Sequence, residues 1–480
     1  MDKLPLLPLL PLTVLNEYPA VDNAVVDKNL KIALAGLGRK IVVLDDDPTG
    51  VQTVHDISVY TQWDEASLRA GFAEANTIFF ILTNSRGFSR EETTRVHVEI
   101  AERLVKVSAE TGIDYILISR SDSTMRGHFP LETETLRQTI EQNSAKKFDG
   151  EILCPFFQEG GRYTIENVHY VREGDMLTPA GQTEFARDKT FGYHSSNIGD
   201  YIAEKTGGRY QKENCVYISI DDLRSFKLDK IDAQLQAVNG FNKVILNAID
   251  YVDVKLFMIA FYRAVSSGKE FIFRSGAAVT KVLGGVSDQP LLDKSQLIRS
   301  ENINGGIVLI GSHVNKTTAQ FEALRTSKLP LEFIEFDQHL VKIKGGLECE
   351  VDRVVALTEK TIRAGRTAIV YTRRERFDLA TDDKELQLQV STRISDAVTS
   401  VVGRLTMRPN FIIAKGGITS SDVGTKALKV RKATVMGQIK PGIPVWMTGE
   451  ESLFPGMPYI IFPGNVGEEE TLKEIVEMLS

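Results

Sequence analysis

The sequence predicts an α/β fold in two domains, an N-terminal Rossmann-like parallel sheet followed by a second α/β domain, and three observations carry this. Short apolar runs rich in β-branched residues (Ile41–Leu44, Ile78–Leu82, Tyr115–Ile118) alternate with helical segments, as buried parallel strands require. Each run ends in polar, charged or glycine-bearing residues, and ligands gather at the carboxyl ends of such strands. At 480 residues the chain exceeds one ordinary core.

The formal net charge of -7, with no basic block to offset it, argues against a nucleic-acid partner. Three cysteines, no CxxC pair and no histidine-rich signature point away from disulfides and zinc and towards a cytoplasmic enzyme. Leu4 to Leu15 is apolar but broken by Pro5, Pro8 and Pro11, and is too short to span a bilayer. It reads as a non-helical arm packed on the body or on a second subunit, which leaves a homodimer open. The expected organisation is an arm and short helix over 1–39, a first domain over 40–285 and a second over 300–475. The boundary falls in the polar stretch after Phe273-Arg274-Ser275-Gly276.

Taken in order, residues 23–38 carry a helical pattern and Ile41–Leu44 a buried strand. That strand runs into Asp45-Asp46-Asp47-Pro48-Thr49-Gly50. Three adjacent carboxylates repel unless a cation lies among them, so the turn suits Mg²⁺, proton abstraction, or both. Alternation along the strand would point Asp45 and Asp47 one way and Asp46 the other. Val54 to Tyr60 alternates like a strand, and Asp64 to Glu74 reads as a helix. The next strand ends in Asn84-Ser85-Arg86-Gly87, and a helix spans about Ser89 to Thr111. The third strand ends in Arg120-Ser121-Asp122-Ser123-Thr124-Met125-Arg126-Gly127. Arg86, Arg120 and Arg126 would thus converge beside the aspartates, a crevice suited to a polyhydroxy acid. Glu151 to Phe157 is a strand leading into Gly160-Gly161-Arg162-Tyr163-Thr164. Residues 168–200 show little periodicity and read as a lid or specificity loop.

In the second half, Gly306–Ile310 is a strand entering Gly311-Ser312-His313, then a helix through Leu324. Phe411–Ala414 is a strand entering Lys415-Gly416-Gly417-Ile418-Thr419, with a helix expected from Ser420 or Ser421. Tyr459–Phe462 enters Pro463-Gly464-Asn465-Val466-Gly467. A buried strand, glycines and then hydroxyls opening a helix form a phosphate cradle, strongest at residues 415–421.

Asp46-Asp47-Pro48-Thr49-Gly50, Ser85-Arg86, Asp122 to Gly127, Lys415 to Thr419 and Pro463 to Gly467 together resemble the four-carbon acid sugar kinase family, formerly a domain family of unknown function. The resemblance covers about residues 40–475. It implies a sugar-acid-binding first domain, a nucleotide-binding second domain and ATP-dependent phosphorylation of a terminal hydroxyl. It places ATP against Ser312, Gly416, Gly417, Ile418, Thr419 and Gly464, and the acid near Asp46, Asp47, Arg86 and Asp122. Many members carry glutamate at the position of Ile418, lysine at that of Arg120 and Ser-Gly-Asn-Phe-Gly at that of residues 463–467. The first departure removes a carboxylate from the nucleotide side. The Asp-Asp-Asp-Pro-Thr-Gly form looks like a branch sometimes found alongside RuBisCO-like proteins, where some relatives handle branched oxo-acids such as 3-oxo-isoapionate.

The expected activity is therefore transfer of the ATP γ-phosphoryl group, with Mg²⁺, to a tetronate, 3-oxotetronate or related branched oxo-acid. Asp47 is the expected base. Asp46 orients hydroxyls, and Asp122 shares that task or holds Mg²⁺. Arg86 and Arg126 are first choices for the substrate carboxylate beside Ser85, with Arg120, Arg162 and Lys415 in reserve. The alternatives are a non-catalytic sugar-acid sensor and an NAD-dependent dehydrogenase. Against the latter, no GxGxxG follows an early strand, and Gly36-Leu37-Gly38 precedes one.

Overall fold

The strand Lys40–Asp45 is buried along its whole length and lies between two parallel neighbours, Ile78–Leu82 and Tyr115–Arg120. The computed structural model describes residues 6–299, 301–379, 384–464 and 466–480. Leu4 and Pro5 of the arm and Asn465 of the last glycine turn lie outside the described residues. The chain divides into two units, Met1–Gly50 with Gln62–Ser287, and Val51–Thr61 with Asp288–Ser480.

Among the described residues of the first unit, parallel strands follow the order Val216–Ile218, Asn242–Leu246, Gly150–Cys154, Phe271–Ser275, Tyr115–Arg120, Lys40–Asp45, Ile78–Leu82. The helix Arg90–Thr111 begins at Ser89, whose hydroxyl caps Glu92 N, and ends at Gly112 in the left-handed region. The helix Tyr251–Ser266 is apolar on nearly every face and correspondingly buried. A capping box between Asp250 and Asp253 starts it. The arm packs on this unit: Leu10 pairs with Leu177, Gln182 Nε2 donates to Leu7 O (2.8 Å), and Lys255 meets Asp27 (2.6 Å).

Residues 168–200 are more ordered than a loop reading allows. Arg162–Ile165, Val168–Glu173 and Met176–Pro179 form an antiparallel sheet with Leu10–Pro11. His169, Tyr170 and Val171 are buried in succession, so both strand faces are covered and no polar alternation marks the strand.

In the second unit, the order is Ile57–Tyr60, Lys432–Lys440, Ile443–Thr448, Pro458–Phe462, Ile412–Lys415, Ile307–Ile310, Ala368–Thr372, Glu332–Phe336. The first four strands pair antiparallel, and pairing is parallel from Pro458–Phe462 onward. The strand read as Val54 to Tyr60 is shorter, Ile57–Tyr60, and it pairs with residues 432–435. Contiguity in sequence would leave it with the first domain, but backbone hydrogen bonding joins it to the second unit.

The first sheet holds one buried ion pair away from its carboxyl edge. Lys243 and Glu151 sit opposite each other on neighbouring strands, both at 0 % exposure, with Nζ–Oε2 at 2.6 Å. The ammonium also faces the rings of Tyr210 and Phe241 at 4.0 Å each. Removing one partner leaves the other charge stranded. Lys243→Met is therefore expected to destabilise the chain by about 3–5 kcal/mol, and adding Glu151→Leu to restore most of that, as read from urea unfolding midpoints.

Candidate active site

Strand register brings the aspartates and arginines of the first unit together. Asp45 stands opposite Arg120 on the adjacent parallel strand, and Arg120 Nη1 meets Asp45 Oδ1 at 2.9 Å. Both are buried. Burial, followed by the charges of Asp46 and Asp47, pushes the Asp45 carboxyl up to about 7 against the pull of Arg120. Gly50 closes over this pair: a Cβ there would lie 2.0 Å from Asp45 Oδ2. The Arg120 guanidinium thus points into the sheet edge at Asp45.

Asp46 and Asp47 share one guanidinium. Arg86 donates Nη2 to Asp46 Oδ1 (2.6 Å), Nε to Asp46 Oδ2 (3.2 Å) and Nη1 to Asp47 Oδ2 (3.1 Å). Alternation therefore ends with the strand, and both carboxylates face Arg86. Ser121 Oγ adds a 2.7 Å hydrogen bond to Asp46, whose side chain is only 2 % exposed. Asp47 is more open, at 14 %, and accepts from Thr49 N (2.8 Å) and Thr49 Oγ1 (2.5 Å). Burial opposes its charge, yet Arg86, Arg120 and the Thr49 hydrogen bonds prevail and hold it below the usual carboxylate range.

Asp122 accepts from Arg126 Nε (2.7 Å) and from the Thr124 hydroxyl. Burial again opposes the charge, but Arg126 and Arg86 hold it well below the usual range. The loop carrying Asp122 and Arg126 is clasped through three consecutive carbonyls. His169 Nε2 takes Ser123 O (2.7 Å), Tyr193 Oη takes Thr124 O (2.6 Å) and Tyr201 Oη takes Met125 O (2.7 Å). Burial pushes His169 down to about 4, so the ring is neutral, donating at Nε2 and paired with Thr164 Oγ1 at Nδ1 (3.0 Å). Met125 and Gly127 have φ of 64° and 119°, and a Cβ on Gly127 would lie 2.7 Å from Ser121 Oγ.

Ser85 reaches Glu132 Oε1 (2.6 Å), and Glu132 is paired through its other oxygen with Arg274. Arg274 also donates to Ser119 Oγ (2.9 Å). Sequence reading passed over Arg274, Glu132 and the three clasping rings. Arg274 had a usable signal, since it ends a buried strand as Arg120 does. Arg162 lies on the strand Arg162–Ile165, half-buried, its guanidinium over the Phe185 ring at 5.6 Å. Arg86 holds both oxygens of Asp46 and Oδ2 of Asp47, Arg120 holds Asp45 Oδ1, and Arg126 holds Asp122 Oδ2. Among the described residues, no group of three or more carboxylate, histidine or cysteine side chains could hold a metal ion.

In the second unit, three turns leave the carboxyl ends of neighbouring parallel strands, Ile307–Ile310, Ile412–Lys415 and Pro458–Phe462. They pack closely. A Cβ on Gly416, at φ 122°, would lie 3.0 Å from Ser312 Cβ; one on Gly464 would lie 3.3 Å from Ser312 Oγ; one on Gly311 would lie 2.2 Å from Thr419 Oγ1. Thr317 Oγ1 bridges Ser312 Oγ (3.2 Å) and Gly464 O (3.1 Å). Gly416 N already donates to Phe462 O (2.9 Å), so it is not a phosphate donor. The helix begins at Gly417, earlier than Ser420, and its first intrahelical bond is Ser420 N to Gly416 O. The N–H groups of Gly417, Ile418 and Thr419 are thereby left without intrahelical acceptors. Ile418, 71 % exposed, sits on that first turn. Arg374, just beyond Ala368–Thr372, donates Nη2 to Ser312 O and Thr318 Oγ1 (2.8 Å each). Its strand-end position was the overlooked signal.

Lys415 is fully buried and donates to Pro463 O (2.6 Å), with Nζ 3.8 Å from the Phe462 ring centroid. That bond ties the end of the strand Ile412–Lys415 to the turn at Pro463. Burial, then the charge of Lys316, pushes the Lys415 pKa down to about 6. The unfolded chain keeps this proton to about pH 10, so between those limits unfolding takes up a proton and stability rises with pH. Lys415→Met should flatten that rise: the wild-type urea midpoint should gain on the variant's as pH goes from 6.5 to 9.5.

These two constellations correspond to two known domains. A sugar-binding N-terminal domain matches residues 41–283, and a nucleotide-binding C-terminal domain matches residues 307–472. Haemophilus influenzae protein HI1011, of the DUF1537 family, is similar over 92 % of this chain and 100 % of its own, with 18 % identity and a TM-score of 0.56. A Salmonella typhimurium LT2 protein described as a tRNA synthase is similar over 91 % of this chain and 98 % of its own, with 15 % identity and a TM-score of 0.63. At these identities the likeness is one of fold alone. No curated protein matches the chain. The two domains, in this order and with these motifs, show that the chain belongs to the four-carbon acid sugar kinase family.

Proposed function

We propose that the protein is an ATP-dependent kinase that phosphorylates the terminal hydroxyl of a small sugar acid, a tetronate, 3-oxotetronate or related branched oxo-acid. One observation carries the reading: the open backbone donors of Gly417, Ile418 and Thr419 follow Gly416, which with Gly464 packs closely on Ser312, and form a phosphate cradle in the unit whose domain type binds nucleotides. The sugar-binding unit supplies the matching half, an aspartate and arginine cluster at strand carboxyl ends. Mg²⁺ fits as a passenger on the nucleotide phosphates, where it keeps several waters and needs few protein ligands. Bound there, it neutralises charge developing on the transferred group.

Phosphoryl transfer depends on placement and charge neutralisation more than on a strong base. Asp47 suits this chemistry. It is the most open of the three consecutive aspartates, and Arg86 and Thr49 fix both its oxygens. Held ionised, it can accept the hydroxyl proton late, as bond formation to phosphorus makes that proton acidic. Asp46 is too enclosed to touch the acceptor and acts by setting Arg86 and Ser121. Asp45, although nearest to neutrality in its titration, is sealed beneath Gly50.

Coupled ADP release over four- to six-carbon aldonates and oxo-acids should find turnover with at least one. Binding of an acid without turnover across the whole panel would instead mark a sensor. Asp47→Asn should lower kcat by about 10²-fold or more while leaving KM for the acid within a few-fold. Near-normal kcat in that variant would reassign the base. Gly416→Val, which must abandon a positive φ and press on Ser312, should raise KM for ATP with little change in acid binding.

A further inference from the structure

We infer that Arg162 receives the carboxylate of the sugar acid, and that Phe185 sets where it does so. The inference rests on the kinase reading above. Arg120 is committed to Asp45, Arg86 to Asp46 and Asp47, and Arg126 to Asp122 with Asp188 at 3.6 Å. Arg162 has no ion pair and no side-chain hydrogen bond among the described residues, and its Nε is buried without a partner. A guanidinium cannot escape this by losing its proton at working pH, so its desolvation is uncompensated until an anion arrives.

Position supports the same assignment. The guanidinium groups of Arg126 and Arg162 lie 5.1 Å and 5.6 Å from the centroid of the single Phe185 ring. Two like charges gathered on one ring repel unless an anion lies between or beside them. Asp122 partly serves, but its Oδ2 is held by Arg126 and Thr124. The open fork of Arg162 matches a carboxylate's two oxygens. The segment 180–202 is anchored to the loop of Asp122 through Tyr193 and Tyr201, so Phe185 is held in a fixed place. Arg86 already spends Nε, Nη1 and Nη2 on Asp46 and Asp47, and Arg126 spends Nε on Asp122.

Calorimetric titration of threonate, erythronate and gluconate into the full chain, with threitol, erythritol and sorbitol as neutral counterparts, tests this. Wild type should bind at least one acid more tightly than its alditol. Arg162→Gln should weaken that acid on the order of 10- to 100-fold and leave the alditol unchanged, so that discrimination collapses. Arg162→Lys should recover only part, since it restores charge without the fork. Retained ATP binding and an unshifted thermal melt would show the variants folded; where Arg162→Gln fails that check, Phe185→Leu should also reduce the preference for acid over alditol. Equal affinity of wild type and Arg162→Gln for the acid, or equal loss of acid and alditol, would overturn the assignment. If wild type binds none of the acids, the sugar-acid reading itself fails and this inference with it.

Discussion

The ion pair between Asp45 and Arg120 is the constraint on which the first unit's site depends. Two parallel strands in register place an acid opposite a base at the last residue of each, in the interior. Such a pair is costly to bury and gains its keep through geometry. It locks the ends of two strands at one level, and everything polar is hung from those ends. Asp46 and Asp47 continue from one strand, Ser121 and Asp122 from the other, and Arg86 from a third crosses to meet them. Gly50 is part of the same device, since no side chain fits over Asp45.

Around this fixed edge the molecule uses neutral ring donors to hold backbone and charged groups to hold one another. His169, Tyr193 and Tyr201 each take one carbonyl of the loop that carries Asp122 and Arg126. Burial keeps all three rings uncharged, raising the tyrosine pKa values and lowering that of the histidine. The loop is therefore held by neutral donors while charged groups pair with one another around it.

The second unit reaches the same end by different means. Its turns are packed backbone to side chain, Gly311, Gly416 and Gly464 approaching Ser312 and Thr419 closely. Lys415, buried and pushed towards neutrality, ties the strand Ile412–Lys415 to the turn at Pro463. Arg374 steadies the Ser312 carbonyl. The family's fold is thus served by charge pairing in one unit and by close glycine packing in the other.

The sequence by itself determined the α/β class, the buried strands and the turns that carry the site. Apolar runs of strand length ending in Asp-Asp-Asp, Ser-Arg, Arg-Ser-Asp and Lys-Gly-Gly are local patterns, and local patterns survive in a one-dimensional reading. Its motifs also identified the family. Tertiary structure alone decided which arginine meets which aspartate, because register between strands about 75 residues apart is set by the sheet. It alone moved Ile57–Tyr60 to the second unit, turned residues 162–179 into an antiparallel sheet, and set Arg120 against Asp45 and Lys415 against the Pro463 carbonyl. Arg274 and the clasping rings were invisible for the same reason: each acts on a partner distant in sequence, and the chain does not record that distance.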